Sequence, residues 1–125
     1  MTRKVRTIGP SKSVVHAREL IRKHRINQLP VVSNDKLLGI VTDRDLRDAA
    51  ILDDSVQTIM TRPVITLSAH STLVNVAEVM RAQRIGSVPI VSGDSVIGIV
   101  TRSDILEAFV AYTNGSIQII QAGHD

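Results

Sequence analysis

The chain is 125 residues long, 43% hydrophobic and 22% charged, the proportions of a soluble globular protein with room for one compact domain or two small intertwined halves. It contains no cysteine, which excludes disulfides, thiolate metal sites and a cysteine nucleophile together, and no apolar run nears the ~20 residues of a membrane span. The net charge of +3 is uneven, since residues 1–25 carry eight Lys/Arg against Glu19 alone, whereas the rest of the chain carries seven bases and eleven acids.

The basic Met1-Thr2-Arg3-Lys4 start is followed by no signal-type apolar stretch, so the expected location is cytoplasmic. Val14, Ala17 and Ile21 then fall at helical spacing. Leu29 to Val32 reads as a buried strand, with Pro30 near its start where a missing N–H is tolerated. Ser33-Asn34-Asp35-Lys36 is turn chemistry, Leu37 to Val41 is a second strand, and a helix follows Asp43. Asp53 to Ile59 is a short connection. Past Pro63, Val64 to Leu67 is an extended lead-in. Ser71 or Thr72 can cap a helix whose apolar positions Leu73, Val76, Ala77 and Met80 share one face, with Gly86 as its stop signal. Val88 to Val91 and Val96 to Val100 form a hairpin about Ser92-Gly93-Asp94-Ser95. Thr101 or Ser103 opens a last helix through about Tyr112, ended by Asn114-Gly115.

These elements are one unit written twice. Gly39-Ile40-Val41-Thr42 recurs as Gly98-Ile99-Val100-Thr101, an offset of 59 that also carries Pro30 to Pro89, Asp45 to Asp104, Arg25-Ile26 to Arg84-Ile85 and Met1-Thr2-Arg3 to Met60-Thr61-Arg62. The first copy spans residues 1–52, the connection 53–59 and the second copy 60–111, while the C-terminal extension 112–125 has no counterpart. The expected fold class is α/β (α+β), each copy running β-α-β-β-α. A unit of about 50 residues leaves one sheet face poorly covered and is marginal alone. The copies are therefore expected to pack by pseudo-two-fold symmetry, with one cleft per copy at their interface.

The duplicated pattern, Leu29-Pro30-Val31-Val32 and Val88-Pro89-Ile90-Val91 followed by a turn and Gly-Ile-Val-Thr-x-x-Asp, resembles the cystathionine-beta-synthase (CBS) domain. Two in tandem resemble a Bateman module, as in CBS proteins of acetoin utilisation. The resemblance covers almost the whole chain. It implies a regulatory module that requires no cofactor, binds AMP, ADP or ATP, with S-adenosylmethionine ranked behind them, and relays occupancy to an unknown regulated protein. It also implies a homodimer, formed through apolar helix positions such as Leu106, Phe109 and Val110 and, in the first copy, Leu46, Ala49 and Ala50.

The residues at these positions suit such a ligand. Asp45 and Asp104 can accept hydrogen bonds from ribose hydroxyls. Thr42 and Thr101, at strand-to-helix junctions, suit phosphate oxygens. Gly39 and Gly98 would let a ligand approach the backbone, and aliphatic surface around Pro30 and Pro89 would sandwich adenine. Backbone at Leu29 or Val88, and at Ile8 or Leu67, would read the adenine edge. Arg44, Arg102 and His70 are candidates to face phosphate, with Asp43 placing an acid in the first site and Arg102 a cation in the second. The same residues also fit plainer roles: helix caps for the threonines, first-turn acids for the aspartates, tight packing for the glycines, and ordinary exposed surface for Arg44, Arg102 and His70.

Catalysis would need paired acid–base or nucleophile–base groups in one cleft, yet no histidine falls at a duplicated motif position. His16, His24, His70 and His124 lack metal-ligand spacing, and no phosphate-cradling glycine loop is present. An enzyme is not expected. Two other classes stay open. One is an interaction module whose clefts stay empty. The other is weak nucleic-acid binding through Arg18, Arg22 and Arg25 on one helical face, against which the scarcity of aromatics argues.

Overall fold

The computed structural model describes residues 5–49 and 53–112. In chain order these form α1 (Val14–His24), β1 (Gln28–Ser33), β2 (Lys36–Thr42), α2 (Asp43–Asp48), a 3-10 turn (Val56–Thr58), β3 (Leu67–Ser68), α3 (Leu73–Gln83), β4 (Ser87–Ser92), β5 (Ser95–Thr101) and α4 (Arg102–Tyr112). The duplicated β-α-β-β-α plan is present. In the first copy the lead-in strand is a single parallel bridge, Ile8 to Val31, where the second copy has β3 alongside Ile90 and Val91.

Local chemistry sets each boundary. Ser13 caps α1, its hydroxyl accepting from the His16 N–H at 3.1 Å. Thr72 and Asn75 close a reciprocal capping box on α3, both bonds at 3.1 Å. Arg22 and Lys23 in the last turn of α1 complement its negative end. The stop signals differ from expectation. Helices α1 and α3 end on left-handed arginines, Arg25 at φ 53 and Arg84 at φ 56, rather than on Gly86. A left-handed residue must directly follow the last helical one, and Gly86 stands two positions further on. The following N–H groups, of Ile26 and Ile85, reach back to the carbonyls of Ile21 and Met80 at 3.1 Å, the wider bond of a Schellman closure.

Both hairpins close on two-residue turns. Asn34 and Asp35 take φ 52 and 63, and Gly93 takes φ 60, the positive values that match strand twist. Both β1 and β4 carry a register shift at corresponding places, Val31/Val32 and Ile90/Val91.

Strand alternation then divides the side chains between two faces. On the helix-covered face of the first copy, Leu29, Val31 and Val41 join Ile8, Val14, Ala17, Leu46 and Val56 in one core. In the second copy, Val88, Ile90 and Val100 pack with Val76 and Met80. The opposite faces carry Pro30 and Ile40 in one copy and Pro89 and Ile99 in the other, all buried. That is the sheet surface a lone copy would leave uncovered. Strands β2 and β5 meet there, and the turn tips join where the Leu37 N–H donates to the Asp94 carbonyl at 3.1 Å and the Ser95 hydroxyl to Asp35 Oδ2 at 2.6 Å.

Two expectations change. The connection belongs to the first core, for Val56 is fully buried, its N–H donates to the Lys12 carbonyl at 2.8 Å, and the Val14 N–H donates to the Asp54 carbonyl at 2.9 Å. Leu46 is not part of an exposed apolar face, being 4% exposed and packed in that core. Ala49 is half-buried, while Ala50, Asn114 and Gly115 lie outside the described residues. The exposed apolar face belongs to α4, where Leu106, Phe109 and Val110 are exposed.

Candidate functional site

Thr42 turns the chain from β2 into α2. Its hydroxyl accepts from the Asp45 N–H at 3.2 Å, while Asp45 Oδ2 accepts from the Thr42 N–H at 3.0 Å. This capping box holds the Asp45 carboxylate beside the strand end. Thr101 and Asp104 repeat it, with the Thr101 N–H donating to Asp104 Oδ2 at 2.8 Å. The capping role is therefore real, and it leaves acceptor capacity, since a carboxylate offers about four lone-pair sites.

Each cleft lies between the copies and is lined by residues of both. Thr42, Asp45 and Ile40 of the first copy open onto Thr61, Val64, Ile65, Ile85, Ser87 and Pro89 of the second, around a cavity of 540 Å3. The offset of 59 maps this lining onto a second cleft, where Ile99 and Thr101 meet Val5, Arg6, Ile26, Gln28 and Pro30 around 90 Å3. The lead-in segment and proline strand of each copy thus face the Thr-x-x-Asp end of the other. Between the clefts a groove of 510 Å3 holds pseudo-symmetric pairs, Asn27 with Gly86, Gln28 with Ser87, Thr42 with Thr101, and Asp43 with Arg102.

This exchange relocates several sequence-based candidates. Arg102 lines the Asp45 cleft together with Arg44 and Asp43, and also lines a groove of its own copy with Ala77, Met80 and Ile105. Ile8 is buried, with its N–H donating to the Pro30 carbonyl at 3.0 Å and its carbonyl accepting from Val32 at 2.9 Å, so its backbone is committed to the ladder. Leu67 pairs with Ile90 and lines a groove with Ser71, Asn75 and Glu78 on the other side of the copy. Leu29 and Val88 are fully buried in the two cores. Gly39 makes room for protein, because a Cβ there would stand 2.5 Å from Met60 Sδ and 3.1 Å from the Thr61 carbonyl oxygen. Gly98 is buried at the corresponding place, and His70 is exposed in the turn before α3. Neither lines the two clefts, and Asp104, held in its cap, is likewise outside the lining of the smaller one.

Sequence inspection missed Thr61, whose hydroxyl donates to both Asp45 oxygens at 3.1 Å. The signal was the repeated Met-Thr-Arg. It also missed Val64, Ile65, Arg47 and Arg84 in the lining. Desolvation and the neighbouring charges of Arg6 and Lys23 lower the His24 imidazole below its ordinary range. Among the described residues no cluster of three or more His, Asp or Glu side chains suits a metal, and no helix is long and apolar enough to cross a membrane.

Comparison with known proteins agrees with this architecture. The family model of the CBS domain matches residues 1–52 and again 56–111. The inosine-5'-monophosphate dehydrogenase of Korarchaeum cryptofilum is 39% identical over 104 residues, 82% of this chain but 22% of that enzyme, so the chain spans about a fifth of its length. The CBS domain pair of protein MJ0100, solved in complex with 5-methylthioadenosine and S-adenosyl-L-methionine, superposes with a TM-score of 0.79 at 36% identity, over 87% of this chain and 91% of that one. AcuB, an acetoin utilization protein of Vibrio cholerae, superposes with a TM-score of 0.82 at 27% identity, over 94% and 92% of the two chains. The chain belongs to the CBS domain family and carries two of its units in tandem.

Proposed function

We propose that the chain is a regulatory module that binds an adenine nucleotide, AMP, ADP or ATP, in the clefts between its copies and passes occupancy to a partner protein in the cytoplasm. The observation that carries this is the Asp45 cleft. A carboxylate fixed at a helix start faces a wall made of Pro89, Val64 and Ile65, an acceptor for ribose hydroxyls opposite aliphatic surface for a flat base. The adenosyl compounds bound by the related pair of protein MJ0100 support the ligand class. A regulatory rather than catalytic role rests on the absence of an acid–base pair at the duplicated motifs, and the dehydrogenase relative matches only over a fifth of its length. Calorimetric titration with AMP, ADP, ATP, S-adenosylmethionine and GTP tests the reading. Heat with adenosyl compounds at micromolar to millimolar Kd, and weaker binding of GTP, is the expected result. No heat with any of them at millimolar concentration would overturn it.

Self-association is a second reading. Helix α4 buries none of its residues, and Leu106 and Val110 are 62% and 59% exposed. Beside them Ala77, Met80 and Ile105 line a groove between α3 and α4 that Arg81, Arg84 and Arg102 also line. A surface of this kind marks an interface, and an isologous contact would close it into a homodimer.

A further inference from the structure

The helix after the lead-in strand begins covered in the first copy and exposed in the second. Val14 opens α1 fully buried, whereas Leu73, which opens α3 at the corresponding position, is 49% exposed. Val15 is half-buried, and its counterpart Val74 is 64% exposed. Ile8 is buried, and its counterpart Leu67 only half-buried. Along α3, Leu67 and Val79 line a groove of 430 Å3 together with Ser71, Asn75, Glu78 and Gln83.

The cover on the first copy is the connection. Ser55 pairs with Ser13 in an antiparallel bridge. The Val14 N–H donates to the Asp54 carbonyl at 2.9 Å, the Val56 N–H to the Lys12 carbonyl at 2.8 Å and the Gln57 N–H to the Pro10 carbonyl at 3.2 Å. These bonds lay Val56 into the core with Val14, and Ile59 packs against the same core. Among the described residues, the Ser71 carbonyl and the Leu73 N–H, counterparts of the Lys12 and Val14 groups, take part in no corresponding bond.

A match for this cover exists in the amino-acid sequence. Ser55-Val56-Gln57-Thr58-Ile59 recurs in the C-terminal extension as Ser116-Ile117-Gln118-Ile119-Ile120. The offset is 61 rather than 59, so the repeat resumes after two inserted residues, with Ile117 in the place of Val56 and Ile120 in that of Ile59. Residues 113–125 lie outside the described residues. Asn114-Gly115, just ahead of the match, is a strong reversal signal. The reach is sufficient. Val56 shares a core with Leu46, whose counterpart is Ile105. Helical rise carries Tyr112 about 10 Å past Ile105 along α4, and the chain from Tyr112 to Ile117 can span up to ~17 Å.

We infer that residues 116–120 fold back over the start of α3 as the connection folds over the start of α1, with Ser116 beside Thr72 and Ile117 buried against Leu67 and Leu73. The extension is then a clasp on the second copy, drawn in by burial of the same kind of side chain that anchors Val56. The chain's own segment is the occupant because its pattern is that of the segment filling the equivalent place in the first copy.

The test is disulfide trapping in the full chain, which has no cysteine of its own. Thr72→Cys with Ser116→Cys should close an intramolecular disulfide, as should the reference pair Ser13→Cys with Ser55→Cys, whose backbones are bridged. Thr72→Cys with Gly123→Cys should close several-fold more slowly. Mass spectrometry of the oxidised chains identifies each bond. Thermal melts supply the second readout. Ile117→Ala should lower the midpoint by about 5 °C or more, and Gln118→Ala, at the place of the exposed Gln57, should leave it within about 2 °C. Disulfides formed between chains instead of within them would give the α3 surface to a second copy and overturn the inference. Trapping at Gly123 as fast as at Ser116, or an Ile117→Ala variant that melts with the parent, would overturn it as well and leave that surface to a different partner.

Discussion

The hydroxyl of Thr61 donates to the carboxylate of Asp45 across the boundary between the two copies, 3.1 Å from each oxygen. The same carboxylate accepts the Thr42 N–H at 3.0 Å. One side chain therefore caps α2, ties the start of the second copy to the first, and faces the larger cleft. Asp45→Ala should cost about 1 kcal/mol of stability through the lost cap and weaken ligand binding by about 1–3 kcal/mol. Asp45→Asn, which keeps an acceptor oxygen, should recover part of the first loss and little of the second. Urea denaturation and calorimetry on the same samples separate the two. Unchanged affinity in both variants would reduce Asp45 to a cap.

Gly39 is the second point at which the copies interlock. The Ile40 and Thr61 backbones exchange hydrogen bonds at 3.0 and 2.8 Å, and Met60 crosses directly above Gly39. Gly39→Ala would force Met60 aside and press on the Thr61 carbonyl, at a cost of about 1–3 kcal/mol. Since Met60 is flexible, adding Met60→Ala should recover part of that cost, a non-additivity that a double-mutant cycle measures. A neutral Gly39→Ala would show that close approach is not what the glycine serves.

What was legible in the sequence was local. Helical spacing, capping residues and turn chemistry act over a few positions, and the constant offset made each copy check the other. Thr72, one of the two caps offered for α3, and the Asn34-Asp35 turn fell where expected for that reason. The composition of the clefts was not legible. Which lead-in segment faces which Thr-x-x-Asp depends on how two finished sheets dock, and nothing within either repeat encodes it. Arg102 accordingly lines the Asp45 cleft of the other copy as well as surface of its own. The helix stops failed for a different reason. Glycine is the usual left-handed residue, yet the repeat places arginine at that position in both copies, and packing of Ile26 and Ile85 behind it supports the conformation.

Val56 shows how a polar run can hide a core residue. It sits within Asp53-Asp54-Ser55-Val56-Gln57-Thr58, which reads as connection, but its side chain is fully buried with Val14 and Leu29. Val56→Ala should cost about 2 kcal/mol, whereas the neighbouring exposed Gln57→Ala should lie within about 0.5 kcal/mol of the parent. Chemical denaturation of the two variants decides the matter. Equal stabilities would mean that the segment is a tether and not part of the first core.

The assembly prediction concerns α4. Leu106 stands where the first copy has Arg47, so this position of the exposed apolar surface is not shared by the repeat. Leu106→Asp places a charge at the centre of that surface. Because the side chain is 62% exposed in the single chain, the substitution should leave its folding stability within about 0.5 kcal/mol. If the surface is a homodimer contact, the same charge would be buried without a partner, and that costs far more than the lost leucine. Sedimentation equilibrium should therefore find a dimer for the parent at micromolar concentration and a monomer for Leu106→Asp, with matching thermal melts at dilutions where both are monomeric. Arg47→Ala, at the corresponding position of the first copy, should leave the dimer intact. A monomeric parent, or a dimer that survives Leu106→Asp, would place the contact elsewhere or remove it.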